Sequence, residues 1–240
     1  VSLHTFFAYF GSKWRVAHLY PSPLHETIIE PFAGSAGYSV RHHHRRVILV
    51  EKDPRVASIW RYLLRASPRE LLALPDLPRG GVVDDLRVCE EARWLIAYNV
   101  NRSAGGPRQS FTTWSESSPH SVWGRTLRAR LAMQVDKIRH WQIFEGDYTS
   151  APDVEATWFV DPPYEVQGAH YRHGVKRLDL AGVGAWCRAR RGQVIVCENE
   201  GATWLPFRAL ATVRGSIRGS GDPDDGISRE AIWTNDSEAA

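Results

Sequence analysis

The stretch Thr27–Pro54, TIIEPFAGSAGYSVRHHHRRVILVEKDP, decides how the chain reads as a fold. It opens on a short apolar run, Thr27–Ile29, that stops at Glu30 and Pro31. A turn of small residues follows. The segment SAGYSVRHHHRR then reads as a helix, with basic residues at its end where the helix dipole favours them. Val47–Val50 is a second apolar run, closed by Glu51 and Pro54. Beyond it, RVASIWRYLLRA places apolar residues at helical spacing. Strand, helix, strand, helix in that order predicts α/β architecture with a doubly wound, mostly parallel sheet.

Four later runs extend the pattern: WQIFEGDY, ATWFVDPPY, GQVIVCENE and REAIWTN all read as strands. Between the two halves lies a stretch rich in Gly, Ser, Pro and Thr with interleaved aromatics, NVNRSAGGPRQSFTTWSESSPHSVWG. It reads as an irregular insertion, closed by a helix through about 124–140. The loop RGSIRGSGDPDDGISR before the last strand reads as mobile. The run Arg41–Arg46 reads as an exposed helix end. Its three adjacent histidines would point different ways on a helix, which argues against a metal site.

A length of 240 residues suits one α/β domain with an insertion. With 43% hydrophobic and 24% charged residues, the composition is that of a globular chain able to bury a core without disulfides. Three cysteines, Cys89, Cys187 and Cys197, show no metal-ligand spacing and predict a reducing cytosol. No apolar run is long enough for a membrane span, and no signal peptide is visible. Val1 and a single methionine, Met133, are what a non-AUG start codon read literally would give. The formal net charge is only +3, but residues 99–141 hold seven basic residues against two acidic ones. That local excess fits a polyanionic partner, or else a solvated surface.

Three features carry chemistry. First, EPFAGSAG (Glu30–Gly37) combines a strand end, small residues and a helix start, which lets a ligand approach the backbone. It is neither GxGxxG nor a Walker loop, so a nicotinamide enzyme is disfavoured. Glu30 would repel a pyrophosphate but could pair with a cationic or amino-bearing ligand. Second, Glu51 ends the next strand, where doubly wound folds place an acid on ribose hydroxyls. Asp53 is an alternative, and both acids also read as surface residues of a turn. Third, Asp161-Pro162-Pro163-Tyr164 ends a buried strand. It is either a strand stop or a rigid turn that offers an Asp161 acceptor, a Pro162 carbonyl and a Tyr164 ring to an aromatic amine.

Over most of its length the chain resembles the Dam-like, alpha-group DNA adenine-N6 methyltransferases, which use S-adenosylmethionine. YFGSK (Tyr9–Lys13) is similar to the family's N-terminal cofactor motif, with Phe10 able to share the aromatic role. EPFAGSAG is similar to its glycine-rich motif, VILVEKDP to its ribose motif, FEGDY to the element that presents Asp147 to the cofactor's adenine, and DPPY to its catalytic motif. Cofactor motifs, then a recognition insert, then DPPY is the alpha order.

The resemblance implies a Rossmann-like class I methyltransferase fold. Residues 1–98 and 142–240 would form the catalytic domain and 99–141 the target-recognition region. It implies S-adenosylmethionine held by Tyr9, Phe10, Lys13, Glu30, Pro31, Phe32, Ala33, Gly34, Ser35, Gly37, Glu51, Asp53, Asp147 and Asp161. Catalysis would rest on Asp161, Pro162, Pro163 and Tyr164. Duplex DNA would meet Arg102, Arg108, Trp114, Trp123, Arg125, Arg128 and Arg130, although each of these also reads as a surface arginine or a core tryptophan. The expected setting is the cytoplasm of a bacterial or phage-infected cell. The protein would be a monomer or weak dimer, metal-free and off the membrane, with room for a companion restriction nuclease. An RNA adenine methyltransferase on the same fold and a non-catalytic nucleic-acid-binding relic are the rival readings.

Overall fold

A computed structural model describes residues 3–101, 106–116, 122–165, 178–214 and 227–238. The two apolar runs of the opening stretch are strands β1 (Thr27–Glu30) and β2 (Arg46–Glu51), paired in parallel with Ile29 opposite Ile48. Between them α1 spans only Gly37–Arg41. The helix expected to run on to Arg46 ends early because Arg46 must pair opposite Thr27. His42–Arg45 are left to turn the chain back, and the His42 N–H closes the helix onto the Ser39 and Tyr38 carbonyls.

Helix α2 (Pro54–Arg65) begins where Asp53 Oδ1 accepts the Arg55 N–H at 3.0 Å. Pro54 sits in the first turn, where its missing N–H would have had no partner. Helix α3 (Pro68–Ala73) repeats the device with Ser67 as cap. Then come α4 (Glu90–Asn99), α5 (Thr113–Glu116) and α6 (Arg125–Gln134), the last continued by a 3-10 turn at Val135–Ile138. The remaining elements are β3 (Gln142–Glu145), β4 (Ala156–Val160), α7 (Leu180–Arg188), β5 (Gly192–Asn199), β6 (Arg208–Arg214) and β7 (Ile227–Thr234). The expected mobile loop falls largely on residues 215–226, outside the described residues.

The seven strands form one mixed sheet in the order β3-β2-β1-β4-β5-β7-β6. Strands β1 to β5 are parallel, and β7 runs antiparallel to both its neighbours. Alternate residues of β2 feed opposite faces, as a period of two demands. Val47 and Leu49 join Trp60 of α2 and Leu131 of α6, whereas Ile48 and Val50 join Val183 and Cys187 of α7. Burial on both faces explains why the central strands read as unbroken apolar runs.

The described residues of 99–141 pack into the main core. Val100, Trp123, Leu127, Leu131, Val135 and Ile138 belong to the cluster that covers one face of the sheet. Among the described residues, no helix is long and apolar enough to cross a membrane.

The strand order reverses between β1 and β4, which opens a crevice at their carboxyl ends. β1 ends on Glu30, and Asp161 follows β4 directly. Because β7 is reversed, its first residues reach the same edge, with Glu230 opposite Asn199 at the end of β5.

Candidate active site: an acidic cleft at the carboxyl ends of the strands

A cavity of about 210 Å³ occupies this crevice. Tyr9–Lys13, Glu30–Gly37, Glu51–Asp53, Asp147–Tyr148 and the turn after β4 line it, together with Phe159 and Leu178. Five carboxylates (Glu30, Glu51, Asp53, Asp147, Asp161) face two lysines, Lys13 and Lys52, across it.

The glycine loop is tied down by the protein's own hydrogen bonds. Gly34 N–H donates to Glu51 Oε2 at 2.9 Å, Trp60 Nε1 donates to the Gly34 carbonyl at 2.8 Å, and Ala33 N–H donates to the Val50 carbonyl at 3.1 Å. Glu30 Oε1 accepts the Ser39 N–H at 2.7 Å. The small residues admit the protein's own N-terminal segment as much as a ligand. A Cβ on Gly37 would lie 2.5 Å from the Trp14 backbone nitrogen. Gly34 takes φ +45°, and a Cβ there would lie 2.8 Å from the Tyr9 ring. Ser35 Oγ donates to Ser12 Oγ at 2.8 Å, completing the seam.

That seam brings Lys13 to Asp161. The buried ammonium lies 2.8 Å from Oδ1 and 3.0 Å from Oδ2 of Asp161, donates to the Gly11 carbonyl at 2.9 Å, and sits 4.6 Å from the centre of the Tyr164 ring. Side-chain exposure is 18% at Asp161 and 6% at Lys13, so an entering ligand meets the carboxylate rather than the ammonium. Burial raises the Asp161 carboxyl above its ordinary range, and the charge and hydrogen bond of Lys13 oppose that rise.

Glu51 is buried, its oxygens accepting the Gly34 and Asp53 N–H groups at 2.9 and 2.8 Å. Desolvation nonetheless pushes it up to about 7. The same cause pushes Glu30 up to about 8. Asp53 is committed to capping α2 and to a fork with Arg55, the closest approach being 2.5 Å. Asp147 pairs with Lys52 at 2.8 Å. Beside it, Tyr148 stacks on Phe32 with ring centroids 5.2 Å apart and planes 21° apart.

All the residues expected to hold a cofactor therefore line one cavity. Gly11, Ser12, Ala36 and Lys52 line it too, and each lies inside a motif already singled out. Tyr148 follows Asp147 directly, whereas Phe159 and Leu178 carried no sequence signal.

The DPPY turn is split. Asp161 and Pro163 line the cavity, while Pro162 and Tyr164 are buried beside it. The Tyr164 ring is not an open platform here: Lys13 covers it, and its hydroxyl donates to Glu230 Oε2 at 2.8 Å.

The expected DNA-contact residues separate into groups. Arg108 and Arg125 are exposed, and Arg130 is half-buried. Arg102 and the side chain of Trp114 lie outside the described residues. Trp123 and Arg128 are engaged within the fold. Trp123 is a core residue whose Nε1 donates to the Pro75 carbonyl at 2.9 Å. Arg128 donates to the Leu74 carbonyl and to Asp76 Oδ1. Both tie the segment after α3 to the chain at the start of α6.

No protein-family model matches the chain, and no curated protein matches it. Among solved structures it is similar to a conserved hypothetical protein of Streptococcus pyogenes, at 12% identity and a TM-score of 0.39, over 87% of this chain and 85% of that one.

Proposed function

We propose that the cleft binds S-adenosylmethionine and that the protein transfers its methyl group to the N6 amine of adenine in duplex DNA. The observation that carries this reading is the convergence of five carboxylates on one cavity where the strand order reverses. S-adenosylmethionine carries a sulfonium and an ammonium against one carboxylate, so an acidic cradle suits it and a pyrophosphate would be repelled. Glu51 lines the cavity at the end of β2, where its carboxylate can accept from ribose hydroxyls. The Phe32–Tyr148 pair, with Asp147 beside it, suits the adenine of the cofactor. The strand order, with β7 reversed, fits the methyltransferase fold that the sequence motifs imply.

When bound, the cofactor supplies an already activated methyl group. The residues of this chain then have a positioning task. An adenine amine is a poor nucleophile because its lone pair is delocalised into the ring. Accepting a hydrogen bond at Asp161 favours a pyramidal nitrogen, which is preorganised stabilisation of the transition state. The Pro162 carbonyl is the second acceptor in this scheme. The alkylated amine must shed one proton, and the partly exposed Asp161 carboxylate, raised above its ordinary range by desolvation, is the acceptor in contact with it. Lys13 stays on Asp161 and keeps that charge compensated. The target base must leave the duplex to reach the cleft.

Two expected results follow. Binding a cation favours the ionised forms of Glu51 and Glu30, which lie near 7 and 8 in the free protein. Affinity for S-adenosylmethionine should therefore rise with pH, by about tenfold from pH 6 to 8, and level off above both values. Calorimetric titrations across this range check it, and a flat profile would remove Glu51 and Glu30 from the ligand's surroundings. Binding to duplex DNA should weaken on the order of 10²-fold between about 50 and about 200 mM salt. Salt-independent binding would exclude the basic surface around Arg108 and Arg125 as the DNA face.

A further inference from the structure

The turn after β4 is gripped from behind by two buried carboxylates that the proposed reaction does not use. Glu230 Oε2, on β7, accepts hydrogen bonds from two tyrosine hydroxyls, Tyr164 at 2.8 Å and Tyr20 at 3.0 Å. Its Oε1 accepts from Ser228 Oγ at 2.7 Å. One strand away on β5, Glu198 Oε2 accepts the Glu165 N–H at 3.2 Å and the Trp204 Nε1–H at 3.1 Å. Both carboxylates are almost wholly withdrawn from solvent.

Core filling does not account for Glu230. Taking a carboxylate out of water is costly, and a hydrophobic side chain of similar volume is often as good for stability or better. What the carboxylate provides is geometry. The bond from Tyr164 and the ammonium of Lys13 over its ring together fix that ring in position and rotation. The bond from Tyr20 ties the segment following Lys13 to the same oxygen. The reversal of β7 makes this possible, because it brings Glu230 to the carboxyl edge where the turn lies.

We propose that Glu230 is a positioning residue that sets the pose of the Tyr164 ring beside Asp161. This deepens the methyltransferase reading and rests on it for the kinetic effect alone. The ring carries Lys13 and Lys13 holds Asp161, so a displaced ring displaces the acceptor, and misplacing a reacting group by about 1 Å costs on the order of 10²-fold in rate. Glu230→Leu and Tyr164→Phe should therefore each lower kcat by about that factor, with affinity for S-adenosylmethionine unchanged. The double variant should be no slower than the worse single one, since both remove the same bond. Glu230→Gln, which keeps an acceptor oxygen, should recover part of the loss.

A second readout does not depend on catalysis. In protein labelled with 3-fluorotyrosine, the Tyr164 ¹⁹F resonance, assigned by its absence from Tyr164→Phe, should shift or broaden in Glu230→Leu. An unmoved resonance, or wild-type kcat in Glu230→Leu, overturns the proposal. If the wild-type protein transfers no methyl group, the reading of the cleft fails and the resonance alone decides the role of Glu230.

Discussion

Asp161→Asn is expected to lower methyl transfer to DNA by about 10²- to 10³-fold, the usual loss when one preorganised acceptor or donor is removed from a transition state. The substitution keeps the side chain's size and replaces one oxygen by an amide donor. The remaining oxygen cannot serve Lys13 and the target amine as the carboxylate does, because Lys13 now contacts both oxygens. The proton shed by the amine also loses its acceptor. Affinity for S-adenosylmethionine should change only a few-fold, since Glu51, Glu30 and the Phe32–Tyr148 pair remain in place. Single-turnover rates and calorimetric titration of the same preparation separate the two effects. Wild-type rates in Asp161→Asn would remove the DPPY turn from the chemistry.

The second large effect concerns the seam between the N-terminal segment and the glycine loop. Gly37→Ala places a Cβ 2.5 Å from the Trp14 nitrogen and 2.9 Å from the Lys13 nitrogen. Both obstacles are backbone atoms, so relief requires moving the segment itself. Such overpacking costs about 2–3 kcal/mol, or about 5–10 °C in Tm for a chain of this size. The movement also draws Lys13 away from Asp161 and the Tyr9–Ser12 wall away from the cleft, so affinity for S-adenosylmethionine should fall about tenfold or more. Thermal unfolding with and without ligand measures both. An unchanged Tm together with unchanged affinity would show that the seam has slack the distances do not suggest.

The sequence and the fold agree where burial is two-sided. β1, β2, β4 and β5 are visible as apolar runs because both of their faces are covered. β6 has no such signal: RALATVR is an edge strand with Arg208, Ala209 and Thr212 exposed. α4 has no side-chain cap at Cys89, and α7, although Asp179 caps it through the Gly182 N–H, carries Gly182 and Gly184 in its body, so the helical signal is weak in both. Arg41–Arg46 has helical composition, but strand register decides that α1 ends at Arg41.

The candidate site was legible for a related reason. Its residues lie at strand ends, where the chain must turn and where Gly, Pro and acids stand out. Glu198 and Glu230 sit beside polar neighbours, Asn199 on β5 and Ser228 and Arg229 on β7, and nothing local separates a buried acceptor from an outward-facing acid. Trp123 and Arg128 show the opposite limit. Their partners, Pro75, Leu74 and Asp76, lie about fifty residues away, so composition alone leaves the partner surface and the fold's own packing as open alternatives for both.

Transfer of a tritiated methyl group from S-adenosylmethionine, measured side by side on duplex DNA and structured RNA with the products hydrolysed to nucleosides, tests the central claim most directly. The expected result is label in N6-methyladenine from DNA, absent with Asp161→Asn. Label recovered only from RNA would move the substrate to the rival nucleic acid. No label in either, from protein that fails to bind S-adenosylmethionine, would contradict the account.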